Sequence, residues 1–411
     1  MQFVKKKTLR RAQGKVAVAM SGGVDSGVAA GLLVKAGYKC VGFHMKLWHE
    51  EQGNFENKCC STESLEAARK TCHKLGIPFY PIDFSGIFKK QVVDYFLEEY
   101  SAGLTPNPCV MCNKFIKFGK LLDYVRRLGF DYLATGHYAR IVERETQNVR
   151  RKTKKNVSPI TYHLLRAQDE QKDQSYFLYN LTQEQLAHVL FPVGDYSKKQ
   201  VKAMAEKWKL PVARRPESQE ICFLPETDYR PFLKRQIPKK IIPGEVVDTN
   251  GRVIGRHYGL PLYTIGQRHG FSINGKWKME NGKLIPPYYV IGKDGKKNRL
   301  IVGFGKEAER KEFWVKNVNW LAPRSASEVG INCFVRIRHQ GELLDCRVKR
   351  NTQDARRKNV SRITYHVSLT EPERGIAPGQ AAVFYTKYQV SSIKYQDFEM
   401  LGGGIIAIDK N

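Results

Sequence analysis

Apolar residues gather in short runs along the first half of the chain: Val16–Met20, Cys40–Met45 (CVGFHM), Phe79–Asp83 (FYPID) and Tyr132–Thr135 (YLAT). Each run is the length of a buried strand, and between them lie stretches of helical periodicity. These are the segment that opens Gly27-Val28-Ala29-Ala30-Gly31-Leu32-Leu33, then Ser64–Leu75 and Phe118–Leu128. Strands alternating with helices predict crossover units and a parallel sheet covered by helices. Ligands of such sheets sit beyond the carboxyl ends of the strands. That rule places Ser21–Ser26, Met45-Lys46 and Gly136-His137 around one crevice.

From Pro243 the texture changes to short β-rich runs separated by Gly, Asn and Pro: Gly244–Val247, Leu262–Ile265, Tyr288–Ile291, Leu300–Val302, Cys333–Ile337, Leu343–Val348, Ile363–Leu369 and Ala381–Tyr385. Such spacing predicts antiparallel sheet or barrel. A chain of 411 residues exceeds one ordinary domain. The expected division is an α/β domain over 1–215, a small linking domain over 216–298 and a β-barrel over 299–411. One basic segment is nearly duplicated: TQNVRRK at 146–152 recurs as TQDARRK at 352–358, and each copy runs on into an Ile-Thr-Tyr-His. Both copies lie between strand-like runs, so they are expected to lengthen hairpin tips, where insertions cost little. They are either inert insertions or basic fingers for a nucleic-acid backbone.

The first strand empties directly into Ser21, Gly22, Gly23, Val24, Asp25 and Ser26, and a helix starts at once. Two glycines let backbone approach an anion, and the helix N-terminus adds unpaired N–H groups and positive dipole. The hydroxyls of Ser21 and Ser26 can donate, and Asp25 suits a Mg²⁺ that travels with phosphate. No Gly-Lys-Ser/Thr follows, so this is not a Walker A loop. A cradle without that lysine fits a site that holds and releases pyrophosphate. The alternative, an ordinary Ser/Gly turn, leaves the strand-before and helix-after context unexplained.

Charge adds a partner. The formal net charge is +29, far beyond what solubility requires, which points to a polyanion such as nucleic acid, although a generally basic proteome would also give it. No window approaches the roughly 18–20 apolar residues of a membrane span, and no apolar core follows the basic N-terminus as in a secretory signal. The chain is therefore expected in the cytoplasm, away from membranes, with its nine cysteines as thiols, metal ligands or redox groups rather than a disulfide framework.

Cys109-Val110-Met111-Cys112 stands in the proline-stiffened run Thr105-Pro106-Asn107-Pro108 just before a lysine-rich helical stretch. A helix N-terminus and nearby cations lower a thiol pKa, so both thiols are expected to be reactive. Zinc would need a second pair, for which Cys59-Cys60 or Cys72 are available, and a buried structural pair is the third reading. Cys222, in Glu217-Ser218-Gln219-Glu220-Ile221-Cys222, is by itself weak evidence, since a lone cysteine usually packs.

SGGVDS resembles the signature of the PP-loop ATP pyrophosphatases, which activate carbonyl oxygens by adenylation. The likeness then becomes specific. TPNPCVMCNKFIKFG, ATGHYAR, KDQSYFLYNL, LFPVGDYSK, ESQEICFL, YTIGQRHG and PERGIAPGQAAVFY follow in order over nearly the whole chain. Together they are similar to the tRNA-uridine 2-sulfurtransferase family. The resemblance implies a doubly wound α/β PP-loop domain, a central domain and a C-terminal β-barrel. It implies ATP with Mg²⁺ on Ala19, Met20, Ser21, Gly22, Gly23, Val24, Asp25 and Ser26, with adenine near Met45 and Gly136. The wobble uridine of a tRNA would be adenylated at O2 and then attacked by sulfur. Cys222 matches the cysteine that receives sulfane sulfur from a donor protein, and Cys112 its partner. Position 109 is aspartate in one branch of the family and Cys109 here, so that residue's acid/base role does not carry over unchanged. The other mechanism open is a [4Fe-4S] cluster held by Cys109, Cys112 and Cys222.

For the tRNA anticodon arm the same correspondence points to Asn107, Pro108 and Cys109 around a flipped base, to His137, Lys172, Asp173 and Gln174, and to Arg338, His339 and Gln380. His137 could equally be a packed histidine after a strand, and Arg338 one charge on a strand's outer face. A monomer is expected. Two other functions stay open: a PP-loop ligase for a small carboxylate or amide, against which the cysteine pair and the basicity speak, and an inactive RNA-binding relative.

Overall fold

The β-branched and small residues of KVAVA leave no polar side chain to bury after Lys15, and the strand Lys15–Ala19 runs through the centre of an all-parallel sheet. The structure, a computed structural model, describes residues 5–6, 14–50, 61–145, 160–216, 221–224, 226–274, 286–321, 330–351, 363–388 and 397–407. The strand order is Phe79–Asp83, Lys39–Lys46, Lys15–Ala19, Tyr132–Ala134 and Val189–Leu190. The chain thus builds outward from Lys15–Ala19 on one side and then on the other. Its carboxyl end is the switch point where such sheets open a crevice. The helices Val24–Lys35 and Thr62–Lys74 follow their strands as crossovers.

The helix expected over Phe118–Leu128 begins earlier: a four-residue helix Pro108–Met111 runs on into a π-helical stretch Cys112–Leu121 and then Leu122–Arg127. Pro108 suits the first helical position, and Asn107 caps it by accepting from the Val110 N–H. The cysteines therefore enter the first turns of a continuous helical rod.

A central five-stranded sheet takes in Gly244–Val247, Val253–His257, Ser272–Ile273, Tyr289–Asp294 and Arg299–Gly303. The strand expected at Leu262–Ile265 is instead a 3₁₀ turn, Leu260–Leu262, set by Pro261, and it leads into a loop. Six antiparallel strands then close into a barrel: Glu309–Trp320, Ile331–Arg336, Leu344–Arg350, Thr364–Arg374, Ala381–Tyr388 and Asp397–Ile406, with the last pairing both Glu309–Trp320 and Ala381–Tyr388. The long strands Glu309–Trp320 and Asp397–Ile406 were not expected. The charged ERKE start of the first and the Gly-Gly-Gly of the second hide their alternation.

Two strands of the first half, Ala139–Glu145 and Ile160–Arg166, form a hairpin that joins the barrel sheet at Leu165 opposite Glu399. The duplicated basic segments are the connections of this hairpin and of the hairpin Leu344–Arg350 with Thr364–Arg374. Residues 146–159 and 352–362 themselves lie outside the described residues, as do Cys59 and Cys60. Among the described residues no helix is long and apolar enough to cross a membrane.

Barrel and α/β domain are welded by one carboxylate. Asp173 is buried and its Oδ2 accepts from Arg336 Nη1 of the barrel (2.8 Å), from Arg166 Nε (3.3 Å) and from Ser175 Oγ (3.0 Å), while Oδ1 accepts from the N–H of Ala167 and Ser175. Removing one partner of a buried ion cluster leaves uncompensated charge. Asp173→Ala is therefore expected to lower stability by about 3–5 kcal/mol, read as a fall in the urea midpoint of unfolding.

Candidate active site

The loop after Lys15–Ala19 is held open by backbone contacts rather than by charge. Gly22 has φ +77°, and a Cβ there would lie 2.2 Å from the Ser64 carbonyl oxygen. Gly136, just past Tyr132–Ala134, has no room either, because its Cβ would stand 2.7 Å from the Ser26 N–H nitrogen. Ser26 is buried, and its Oγ donates to Gly23 O (3.0 Å) and accepts from the Ser21 N–H (3.2 Å). Its hydroxyl, expected as a donor to phosphate, shapes the loop from within here. Ser21 is exposed at the loop's rim.

Asp25 is engaged more heavily than the sequence suggests. Lys198 Nζ donates to both its oxygens (2.6 and 2.8 Å), and the Tyr138 hydroxyl donates to Oδ1 (2.8 Å). Lys198 begins the helix Lys198–Lys207, whose Ser197–Gln200 capping box fixes the entry of the chain there. A lysine from a distant helix thus reaches the edge of the cradle, where it is paired with Asp25. The Arg215 guanidinium stands beside it, donating from Nη1 to Gly22 O at 2.9 Å. For Mg²⁺ carried by a nucleotide, one or two carboxylates suffice, and Asp25, a third exposed to the groove, fits that part.

The loop opens into a groove of about 1410 Å³ that runs between the three sheets. It is lined by Ser21, Gly22, Gly23, Val24 and Asp25, by Asn107, Pro108 and Cys109, by Lys172 and Gln174, and by Arg338, His339 and Gln380. Ala19 and Met20 lie buried behind it. Its far wall is central-domain and barrel surface, including Thr264, Gly266 and Arg374 from the quoted motifs, to which the sequence reading gave no site role, and Tyr289. Thr105 clamps this junction: its N–H donates to Pro378 O (2.9 Å) and its hydroxyl faces that of Thr264 (3.5 Å).

Two expected tRNA contacts do not face the groove. Asp173 turns inward to its arginines, since two buried guanidinium groups need a counterion more than the surface does. His137 is buried between the rings of Phe118 and Phe191, with Nδ1 against Thr135 Oγ1 (2.7 Å) and Nε2 at 3.4 Å from Lys117 Nζ. Burial first, and the Lys117 charge second, hold its imidazole well below the usual histidine range. It is the packed histidine of the alternative reading. His339 leans on the Phe177 ring at 4.4 Å and is shifted down by burial.

A smaller pocket of about 180 Å³ adjoins the groove and collects Cys109, Cys112 and Cys222 with Met20, His44, Met45 and Lys117. None of the described cysteines is bridged. Cys109 contradicts the expectation of a lowered pKa: burial and then the neighbouring Cys222 push its thiol up to about 12, against the smaller pull of Lys117. Desolvation of a thiolate outweighs a helix N-terminus here. Cys72 packs in the core behind the sheet, also pushed up to about 12 by burial, and supplies no second pair for zinc. Among the described residues no three His, Cys, Asp or Glu are grouped so as to hold a metal ion. The three thiols line one pocket without converging on a single-ion site.

Residues 14–226 match the family described as tRNA methyl transferase HUP domain, 230–304 its PRC-barrel domain, and 310–406 the aminomethyltransferase beta-barrel domain. A tRNA-specific 2-thiouridylase MnmA of Chloroflexus aurantiacus is 44% identical over 393 residues, 95% of this chain and 98% of the relative. The chain belongs to the tRNA-specific 2-thiouridylase family. The thiouridylase of a Roseiflexus species matches at 43% over 404 residues, 96% of this chain and all of its own. As a thiouridylase-family member the chain is a transferase with a PP-loop ATP-binding domain, and the methyltransferase wording of the domain descriptions does not extend to the full-length relatives.

Gly22→Ala is expected to abolish the rise in Tm that ATP produces while leaving the far-ultraviolet circular dichroism unchanged. Cys109 is expected to react with iodoacetamide at pH 8 more slowly than an ordinary thiol of pKa about 8.5, because a raised pKa lowers the thiolate fraction. Peptide-mapped alkylation rates from pH 7 to 10 check this: the Cys109 rate should still be rising where an ordinary thiol has levelled off.

Proposed function

We propose that the chain uses ATP to replace the C2 oxygen of the wobble uridine in tRNA by sulfur, with both half-reactions in this crevice. One observation carries the reading: the nucleotide groove and the cysteine pocket share Ser21, Pro108, Cys109 and Ile221 as common walls. A base reaching past Asn107 and Pro108 would meet phosphate chemistry on one side and sulfur chemistry on the other.

In the first half-reaction the uridine O2 attacks the α-phosphorus of ATP. The bond to the bridging oxygen breaks, and its electron pair leaves with pyrophosphate onto the Ser21–Asp25 loop and the N-terminus of Val24–Lys35. The adenine lies toward Gly136, just past Tyr132–Ala134, and toward Met45, which lines the cysteine pocket adjoining the groove. Asp25 would hold a Mg²⁺ that arrives with the nucleotide, and that ion would supply neutralising charge for the phosphates. The uridine is now an O-adenylated electrophile at C2, and AMP is a far better leaving group than oxide.

In the second half-reaction Cys222 carries sulfane sulfur taken from a donor protein. Cys112 attacks or resolves that persulfide, hydrosulfide is delivered to C2, AMP departs, and a Cys112–Cys222 disulfide remains for an external thiol to reduce. Cys109, half-buried beside Cys222 with its thiol pKa pushed up by desolvation, holds its proton beside the persulfide rather than acting as nucleophile. Lys172, Gln174, Arg338, His339 and Gln380 take the anticodon arm along the groove. A base inside a stem-loop must be splayed out for this chemistry.

Cys222→Ser is expected to abolish 2-thiouridine formation, followed by mass spectrometry of tRNA digests, while tRNA affinity at fixed salt stays within about twofold, since it rests on phosphate contacts. Full activity of that variant would sink the assignment.

A further inference from the structure

The cradle poses an electrostatic problem. Three phosphates must be held, and pyrophosphate must leave carrying more charge than it brought to the bond, yet the loop itself has no cation. Lys198 does not bring net charge, because its ammonium is paired with the Asp25 carboxylate through both oxygens, and that pair is neutral as a unit. The helix N-terminus contributes only partial charge.

Arg215 is different in kind. Its Nη1 is held by a neutral carbonyl, Gly22 O, at 2.9 Å. Its carboxylate neighbour, Glu63, is 3.5 Å away and 80% exposed, so water screens that contact. The Arg215 side chain is itself only 20% exposed and lines the groove beside Ser21, Gly22 and Gly23. A planar guanidinium keeps further N–H donors in a fixed fork after one is spent on the carbonyl, and that fork matches phosphate oxygens. The position fits the β- and γ-phosphates because Gly22, which Arg215 contacts, belongs to the loop that receives the leaving pyrophosphate in the adenylation reading.

We propose that Arg215 grips the β- and γ-phosphates of ATP and the departing pyrophosphate, taking the place of the lysine that this loop lacks. This rests on the adenylation reading above. Arg215 is then a pyrophosphate-binding residue, with no role in holding AMP.

The test is equilibrium dialysis of the full chain with ATP, inorganic pyrophosphate and AMP in turn, for wild type, Arg215→Gln, Arg215→Lys and, as a control, the exposed neighbour Arg214→Gln. Arg215→Gln should weaken ATP and pyrophosphate about ten- to a hundredfold, the worth of a hydrogen bond to a charged group, and leave AMP within about twofold. Retained AMP binding also shows that the cradle of the variant is folded. Arg215→Lys should fall between, since it keeps a charge without the fork, and Arg214→Gln should match wild type. Equal weakening of all three ligands would mean that Arg215 acts only on loop shape through Gly22, and would overturn the proposal, as would unchanged pyrophosphate affinity or a Lys variant no better than Gln. A wild-type chain that binds none of them would instead overturn the adenylation reading itself.

Discussion

The Asp173 carboxylate is the contact on which the geometry of this protein turns. It is fully buried, and a buried carboxylate is tolerable only when cations and hydrogen bonds surround it. Here the cations come from two parts of the chain: Arg166 ends the hairpin strand Ile160–Arg166, and Arg336 ends a barrel strand. Satisfying one charge therefore fixes the barrel against the α/β domain. The neighbours on either side, Lys172 and Gln174, are thereby turned outward into the groove opposite Arg338 and His339. Gln174 also accepts from the Tyr138 N–H at 3.0 Å, and the Tyr138 hydroxyl reaches Asp25. The line from barrel to cradle is continuous, Arg336 to Asp173, Gln174, Tyr138 and Asp25.

The cysteine side is fixed by a second set of contacts. The segment before Cys109 is held at Thr105 by the barrel and at Gly103 by Lys293 of the central sheet, whose ammonium donates to the Gly103 carbonyl at 2.9 Å. A flexible CxxC loop would expose thiolates to any oxidant. This one is pinned by both other domains and leaves Cys109 half-buried, with its thiol pKa pushed up by desolvation. Thiol chemistry that must await an activated base is better served by a guarded pocket than by an open, low-pKa pair.

The parallel sheet was legible because strands buried on both faces read as unbroken apolar runs, as in Val16–Ala19 and Cys40–Met45. The cradle was legible because close backbone approach demands glycine at fixed spacing. The barrel strands that escaped notice carry their signal in charge or glycine instead: ERKEFWVKNVNW alternates only in its second half, and MLGGGII has three positions with no side chain. Side-chain direction was not legible at all. Lys172, Asp173 and Gln174 are adjacent in sequence, yet the middle one points into the core, and nothing local distinguishes it. Lys198 and Arg215 reach the cradle only through the packing of the Lys198–Lys207 helix on Val24–Lys35, which no motif announces. Helix-terminal position likewise favoured reactive thiols, and burial of Cys109 overruled it.

The central claim is that adenylation and sulfur transfer share one crevice and that its three thiols work without a metal cluster. The most direct test is single-turnover thiolation by anaerobically prepared protein, with ATP, a transcribed tRNA and a persulfide donor, and with iron and acid-labile sulfide quantified in the same sample. The account predicts one AMP for each 2-thiouridine formed, a Cys112–Cys222 disulfide at the end of the turnover, and a yield indifferent to iron content. Thiouridine that rises in proportion to bound iron and disappears when the iron is removed would contradict it.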